Sequence, residues 1–304
     1  MRVVSVLPSA TELVCALGHA ASLVGRSAEC DFPPEVSRLP IVMRPRALDS
    51  DRPSAEIDAR VRRARAQDES LYTLDVELLR SLRPDLLLTQ DLCGVCSVTS
   101  AEVAHACSQA GISPKILSLM PRTLEEVWAT IPCVAAAMGD LNAGTRLLAS
   151  IRDRIPHPTA SSADRPRVAV VEWVDPPILG GLWDSDVVRE GGGEPIGPRS
   201  GEPAKRVSWD SLHQMSPDLL VISPCSFTVT RSLQELADPR VRAEVSRISP
   251  ALGTFVADEA YFSRPGPRLV EGIRLIHRLI RQAWESWPMP VARWPETASR
   301  LVSA

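Results

Sequence analysis

The stretches Pro84–Gln90 (Pro-Asp-Leu-Leu-Leu-Thr-Gln) and Pro217–Ser223 (Pro-Asp-Leu-Leu-Val-Ile-Ser) decide the fold of this chain. Each opens with Pro-Asp and continues as a short apolar run, which is typical of a strand buried on both faces of a sheet. Because the same phrase occurs once in each half, we expect two α/β lobes of similar plan. The shared phrase marks the start of a strand in each half and is not by itself evidence of duplication.

Cysteines follow both runs. Cys93 and Cys96 stand in the loop after the first run, Cys225 stands after the second, and Cys30 lies just past a further predicted strand at 22–26. In open α/β sheets, ligands bind beyond the carboxyl ends of the strands. We therefore expect these thiols where the two lobes present chemistry to a shared cleft.

The sequence around these runs alternates between strand-like and helix-like patterns. In the first half the predicted strands are 2–7, 22–26, 84–90 and 115–119, and the predicted helices are 11–17, 54–66, 75–82 and 100–110. In the second half the predicted strands are 168–173, 217–223 and 254–257, and the predicted helices are 184–190, 208–215, 232–245 and 269–284. Ser9 and Glu12 have the spacing of a capping box at the start of the first helix.

A helical apolar pattern over 123–155 separates the halves, despite Pro132 and the glycines at 139 and 144. We therefore predict the α/β class, with two Rossmann-like lobes joined by a long backbone helix. The predicted domains are an N-terminal lobe over 1–121, a connecting helix over 122–156 and a C-terminal lobe over 157–304. A chain of 304 residues also exceeds the usual size of a single hydrophobic core.

Composition excludes several function classes. The net charge is -3, which leaves no positive excess for wrapping nucleic acid. No apolar segment reaches the length of a membrane-spanning helix, so we expect no membrane insertion. The apolar start at 1–9 is too short for a signal peptide, and we expect a cytoplasmic protein. The odd count of 7 cysteines favours reduced thiols, metal ligands or redox groups over a disulfide framework.

Five motifs carry a family resemblance. They are Leu7–Glu12 (Leu-Pro-Ser-Ala-Thr-Glu), Glu29-Cys30-Asp31, Leu92–Cys96 (Leu-Cys-Gly-Val-Cys), Glu172–Pro176 (Glu-Trp-Val-Asp-Pro) and Tyr261–Arg268 (Tyr-Phe-Ser-Arg-Pro-Gly-Pro-Arg). Together they resemble the periplasmic-binding-protein-like family of class III, which has a helical backbone and binds cobalamin or iron chelates. Within that family the chain is most similar to a cytoplasmic, cysteine-containing branch.

The resemblance implies two lobes with a ligand between them and an ABC transporter as a partner. It extends over nearly the whole chain. Two positions depart from the family pattern, because Ala28 and Leu182 stand where the family usually has histidines. Any role of those imidazoles is absent or replaced here.

The four cysteines of the strand-end loops suit a soft or borderline metal. Thiolates of Cys30, Cys93, Cys96 and Cys225 would close a tetrahedral site for zinc, copper(I) or an iron-sulfur centre. Alternatively, Cys30 and Cys225 are small hydrophobic residues packed under loops. The pair at 93 and 96 also has the spacing of a thiol-disulfide active site. The other cysteines, on apolar helical faces, are predicted to be core residues: Cys15, Cys107 and Cys133.

Aromatic and polar residues of the strand-end loops form the candidate ligand-binding set. Flat rings in these loops would pack against a corrin or another planar ligand, or would simply fill the end of the lobe. The set is Ser9, Thr11, Glu172, Trp173, Trp183, Phe227, Tyr261, Phe262 and Arg264. Arg264 would bind a carboxylate or phosphate, or would brace the proline-rich turn.

These observations favour a non-enzymatic protein that binds a corrinoid, cobalamin-like molecule or metal chelate in the cleft between the lobes. The alternative is an enzyme or metal-handling protein that uses zinc, copper or an iron-sulfur centre held by cysteines in the same cleft. No nucleophile, base and acid stand together in the sequence. The tryptophans near the C-terminus leave a homodimer open.

Overall fold

The computed structural model describes residues 1–46, 51–67, 69–91, 98–157, 164–283 and 290–295. The chain divides into two compact units. Unit 1 comprises Met1–Asp49, Ala59–Pro121 and Glu125–Ile151, and unit 2 comprises Ser50–Asp58, Arg122–Leu124 and Arg152–Ala304. Most of the connecting segment expected over 122–156 thus groups with unit 1.

Unit 1 contains one sheet. Its strands are β1 (Val3–Ser5), β2 (Leu23–Ser27), β3 (Ile41–Pro45), β4 (Tyr72–Leu74), β5 (Leu86–Thr89) and β6 (Lys115–Ser118). Within the described residues these form a six-stranded sheet in the order β4-β3-β2-β1-β5-β6. All neighbours pair in parallel except β3 and β4. The carboxyl ends of β1, β2 and β5 therefore share one edge, as the sequence predicted.

The helices assigned mainly to unit 1 follow the strands in alternation. They are α1 (Pro8–Ala16), α2 (Ser54–Ala66), α3 (Val76–Leu82), α4 (Ser100–Ala110), α5 (Leu124–Met138) and α6 (Leu141–Arg152). Leu86, Leu87 and Leu88 of β5 are at most 1% exposed, so the first apolar run is buried on both faces of the sheet. This burial explains why the run lacks the polar alternation of a half-exposed strand.

Two local predictions in unit 1 are wrong. The capping box does not form, because α1 already begins at Pro8, whose ring favours the first helical position, and Ser9 and Glu12 lie inside the helix. The predicted continuous helix over 123–155 is divided into α5 and α6. Gly139 adopts a left-handed φ of 78°, and the Asp140 carboxylate accepts a hydrogen bond from the amide of Ala143, which starts the second helix.

Unit 2 contains the second sheet. Its strands are β7 (Arg167–Trp173), β8 (Ile178–Leu179), β9 (Glu194–Ile196), β10 (Lys205–Arg206), β11 (Leu219–Ile222), β12 (Thr254–Ala257) and β13 (Val291–Trp294). Within the described part of the chain they form a seven-stranded sheet in the order β10-β8-β7-β11-β12-β13, with β9 paired to β7. The central strands β7, β11 and β12 are parallel, so their carboxyl ends also share one edge.

The helices of unit 2 are α7 (Asp184–Glu190), α8 (Trp209–Gln214), α9 (Val229–Glu235), α10 (Pro239–Ser246) and α11 (Leu269–Ile280). The single helix predicted over 232–245 is therefore wrong. Asp238 accepts hydrogen bonds from the amides of Arg240 and Val241, and Pro239 occupies the first position of α10. A cap and a proline at this point start a new helix.

α11 packs closely on the loop that follows β12. A methyl group added at Gly272 would overlap the carbonyl oxygen of Tyr261, so only glycine allows this approach. The core of unit 2 also includes Leu219, Leu220, Val221 and Ile222 of β11, each 0% exposed. The α/β class with two units, each built on its own sheet, is confirmed.

Among the described residues, no helix combines the length and the apolar character that crossing a membrane requires.

Candidate functional site

Three loops leave the shared carboxyl edge of β7, β11 and β12 in unit 2. They are residues 174–177, 223–228 and 258–268. Most of the second-lobe candidate residues lie at the strand ends or in these loops, as the position of the apolar runs predicted. The edge is therefore the natural place to look for a ligand site in this unit.

Hydrogen bonds beyond the strand ends hold the loop after β11. The amide of Ser223 donates to the carbonyl of Val171 at 2.9 Å, and the amide of Cys225 donates to the carbonyl of Glu172 at 3.0 Å. The Ser223 hydroxyl donates to the carbonyl of Asp258 at 3.1 Å. These bonds place the half-buried Cys225 beside the end of β7 and tie the loops together.

A buried carboxylate fixes the residue after Cys225. Ser226 has a left-handed φ of 64°, and its amide donates to Oε2 of Glu259 at 2.5 Å. Oε1 of Glu259 accepts from Nε and Nη2 of Arg264 at 3.0 and 2.6 Å. Burial raises the pKa of Glu259, although the Arg264 guanidinium and the Ser226 amide act in the opposite direction.

Arg264 is 9% exposed. Of the two roles considered for this residue, bracing the proline-rich turn matches its pairing with Glu259. The guanidinium links Glu259 to the proline-rich turn, and this pair in turn holds Ser226. Arg264 thus helps to fix the loop over 223–228 through Glu259.

The aromatic rings, for which the sequence left open a ligand contact or a place filling the end of the lobe, lie in the interior of unit 2. Phe227 and Tyr261 are 1% exposed, Phe262 is 0% exposed and Trp183 is 6% exposed. The indole Nε1 of Trp183 donates to the carbonyl of Phe262 at 2.5 Å. In this structure none of these four rings offers an open face, because large rings at the strand ends complete the core there.

Glu172, Trp173 and Cys225 are the second-lobe candidates that keep part of their surface exposed. The Trp173 ring lies with its centroid 5.3 Å from that of Phe227, at an interplanar angle of 47°. The guanidinium carbon of Arg231 lies 4.3 Å from the centre of the Phe227 ring. Trp173 thus packs against the buried Phe227 ring, which also makes a cation–π contact with Arg231.

Sequence reasoning missed Asp184 and Arg231. Asp184 is 4% exposed at the start of α7, and its Oδ1 is buried without a hydrogen-bond partner among the described residues. Burial raises the pKa of Asp184 well above its usual value, and the charges of Glu172 and Asp186 add to the effect. Nothing in the sequence marks this carboxyl, since an acidic residue at a helix start is ordinarily exposed.

The first-lobe candidates form a packed contact in unit 1. Ser9, Thr11 and Cys30 are 4%, 0% and 1% exposed. Oγ1 of Thr11 lies 3.0 Å from Sγ of Cys30 and 3.2 Å from the carbonyl oxygen of Leu7. This contact joins the loop after β2 to the start of α1. The packing alternative for Cys30 matches this environment.

The four-cysteine metal site is not supported by the part of the chain that the structure describes. Cys93 and Cys96 lie outside the described residues, whereas Cys30 belongs to unit 1 and Cys225 to unit 2. No group of three or more His, Cys, Asp or Glu side chains among the described residues is arranged to hold a metal ion.

The remaining cysteines were expected in the core. Cys107 is buried and Cys15 is partly buried, but Cys133 is exposed on α5, so the prediction is wrong for Cys133. Burial raises the pKa of the Cys15 thiol to about 11, with smaller contributions from Glu12 and Glu35.

Two cavities of unit 2 lie away from these loops. One of about 620 Å³ is lined at the amino edge of the sheet by residues that include Arg165, Arg167, Glu194 and Asp218. Another of about 430 Å³ lies beside β12 and β13 and includes Arg293 and Trp294. Neither cavity contains a residue of the candidate set.

Comparison with known proteins identifies the fold. No family model and no curated protein matches the sequence. The apo form of the periplasmic heme-binding protein RhuT from Roseiflexus sp. RS-1 is 20% identical, over 93% of this chain and 98% of that chain, with a TM-score of 0.61.

Two further solved structures have a similar fold. The periplasmic vitamin B12 binding protein BtuF of Vibrio cholerae is 21% identical, over 93% of this chain and 97% of that chain, with a TM-score of 0.62. A periplasmic heme binding protein from Pseudomonas aeruginosa is 18% identical, over 93% of each chain, with a TM-score of 0.66. The chain therefore shares its fold, over nearly its whole length, with periplasmic binding proteins for heme and vitamin B12.

Proposed function

We propose that this protein binds a metal chelate of the tetrapyrrole or siderophore class without transforming it. The observation that carries the proposal is the likeness of fold, which extends over 93% of this chain and 97% of a vitamin B12 binding protein. Further similar structures are a heme-binding protein in complex with two hemes and a component of an Fe³⁺-hydroxamate transport system. The ligands of these proteins share a metal held in a large organic chelate.

The carboxyl edge of β7 and β11 is the proposed contact surface in unit 2. Trp173 presents an aromatic side chain that can pack against a flat macrocycle. Cys225, partly exposed at the same edge, would supply a soft sulfur ligand to the metal of such a chelate. The hydrogen bonds of the Cys225 and Ser226 amides hold this loop before any ligand arrives, which lowers the entropic cost of binding.

Titration with three probes tests the proposal. The purified chain would be titrated with hydroxocobalamin, ferric haem and a ferric trihydroxamate, and followed by absorbance and intrinsic fluorescence. We expect saturable uptake of at least one probe with a Kd of about 1 μM or tighter, as a specific site requires. Saturation by none of the three at about 50 μM, well above that Kd, would contradict the proposal.

Matched variants locate the contact. Cys225→Ser and Trp173→Ala are expected to weaken uptake about tenfold or more, because each removes a group that touches the ligand. Cys133→Ser, which changes an exposed thiol on α5, serves as the control and should leave uptake unchanged. A stoichiometric metal bound without any chelate, and lost in Cys93→Ser, would favour the cysteine-bound metal alternative instead.

We further propose delivery to an ABC transporter as the biological role, supported by a similar fold in an ABC transporter substrate-binding protein from Listeria monocytogenes. The cytoplasmic location expected from the sequence would instead imply a carrier or sensor. Fractionation of cells that express the native gene decides between these roles.

A further inference from the structure

Residues 51–58, here called the strap, belong to unit 2 and include the first residues of α2. Ser54 is 0% exposed within the strap. Its amide and its hydroxyl both donate to Oε1 of Glu235, at 2.8 and 2.5 Å. Glu235 is the last residue of α9 and is itself 7% exposed. The strap is thus attached to α9 through a buried carboxylate.

A second attachment holds the other end of the strap. Asp58 is 7% exposed and accepts hydrogen bonds from both terminal nitrogens of Arg206, at 2.5 and 3.3 Å. Two parallel bonds between a guanidinium and a carboxylate fix orientation as well as distance. The strap is therefore held at two points, 54 and 58, by side chains that come from separate elements of unit 2.

Arg231 connects the strap to the candidate site. Its guanidinium contacts Oε2 of Glu235 at 2.8 Å and donates to the carbonyl of Arg52 at 2.7 Å. The same guanidinium covers the Phe227 ring, which also contacts the Trp173 ring. Glu235 therefore bonds the strap with one oxygen and positions Arg231 with the other.

We propose that the strap regulates the binding site by holding Arg231, and through it Phe227 and Trp173, in their present arrangement. While the strap is attached, Glu235 and the Arg52 carbonyl keep the guanidinium over Phe227. Release of the strap removes the Arg52 carbonyl from Arg231 and the Ser54 donors from Glu235, so that of these bonds Arg231 keeps only the one to Glu235 and Trp173 loses its fixed support. Attachment of the strap and binding at Trp173 then share a coupling free energy, which acts in both directions. The regulatory part of this inference rests on the proposed function, whereas the link from the strap to Trp173 does not.

The link is tested without any ligand. The double variant Ser54→Ala with Asp58→Asn removes a hydroxyl donor at one attachment and the charge at the other. The control is Glu56→Gln, which lies in the strap but is exposed and pairs with Arg52 at the surface. Amide hydrogen exchange reports the strap, and ¹⁹F NMR of protein labelled with 5-fluorotryptophan reports Trp173, whose signal is assigned by its loss in Trp173→Phe.

In the double variant we expect strap amides to exchange about tenfold faster or more, since bonds to buried charged groups are lost. We also expect the Trp173 signal to shift or broaden, with no change of either kind in the control. Faster exchange with an unaltered Trp173 signal would overturn the link. Unaltered exchange in the double variant would show that these bonds do not hold the strap.

A second measurement tests regulation. The affinity for hydroxocobalamin and ferric haem is compared among the wild type, the double variant and the Glu56→Gln control. We expect a change of about fivefold or more in the double variant alone, the size of a typical coupling. Equal affinities would overturn the regulatory inference. If the wild type binds neither probe, the comparison is made with the ferric trihydroxamate, and the proposed function fails if this third probe does not bind either. The NMR result still decides the link.

Discussion

The buried pair of Glu259 and Arg264 provides the sharpest test of how the candidate loop is held. Glu259 accepts one hydrogen bond from the strained Ser226 and two from Arg264. Glu259→Ala removes all three at once. The guanidinium then stays in the interior without this carboxylate, and the amide of Ser226 loses its acceptor.

The burial of Glu259 and Arg264 determines how much the free energy of unfolding falls in Glu259→Ala. The Arg264 and Glu259 side chains are 10% and 12% exposed, so solvent screens their interaction little. Removing one partner of a buried pair costs about 3–5 kcal/mol, because the remaining charge is uncompensated. The pair of Arg247 and Glu244, with side chains 50% and 31% exposed, is the matched control. Solvent screens such an exposed pair, so its loss should cost much less.

Native-state hydrogen exchange is the assay, because two units need not unfold in one step. The amides of β11 exchange only when the core of unit 2 opens, so their protection reports the free energy of unfolding of this unit. We expect Glu259→Ala to lower that free energy by about 3–5 kcal/mol and Glu244→Ala to lower it much less. A loss below about 1 kcal/mol in Glu259→Ala would refute the assigned role, because it is the loss expected of an exposed pair.

Three further predictions concern unit 2. Burial, and then Glu172 and Asp186, raise the folded-state pKa of Asp184, so folding binds its proton and stability decreases as pH rises from about 4 through the raised pKa. Asp184→Asn should abolish this decrease, measured by the protection of the β11 amides at pH 5 and pH 8, and an identical decrease in the variant would count against the assignment. Phe227→Ala should cost about 3–5 kcal/mol in the same exchange assay and should alter the fluorescence of the neighbouring tryptophan; a cost under about 1 kcal/mol would show that the ring is not a core residue. Asp238→Ala should cost about 1 kcal/mol and speed amide exchange in the first turn of α10, and unchanged exchange there would rule out the cap.

The elements that form from local signals were predictable from the sequence. The apolar runs at 84–90 and 217–223 are buried strands, because a short run without polar alternation has no face to expose. Helix starts at Asp75 and Ser208 were close to their predicted positions, since these side chains accept hydrogen bonds from the first helical turn.

Elements that depend on distant partners were not predictable. The edge strands β4 and β13 pair antiparallel with β3 and β12, and each is short and lies beside a proline or a charged residue. Their strand character comes from the neighbouring strand and not from their own residues. The breaks at Gly139 and Asp238 were missed because the apolar spacing continues across them.

The place of the candidate residues at the strand ends was predictable from the sequence, but their exposure was not. A ring such as Phe262 follows a strand in the sequence, and only the folded loop shows that it turns inward. For Arg264 the sequence left both a ligand contact and bracing of the turn open, and only the folded loop shows the pairing of its guanidinium with Glu259 in the interior. The partners of Asp184 and Arg231 come from separate parts of the chain, which no local pattern connects.

Hydrogen exchange of the wild type, with and without a saturating concentration of the probe that the titration shows to bind (hydroxocobalamin, ferric haem or the ferric trihydroxamate), tests the central claim most directly. The account predicts that peptides covering 173–177 and 223–228 gain protection when a probe binds. Protection confined to the residues around the cavity of about 620 Å³ at the amino edge of the sheet, or no protection in unit 2, would contradict it.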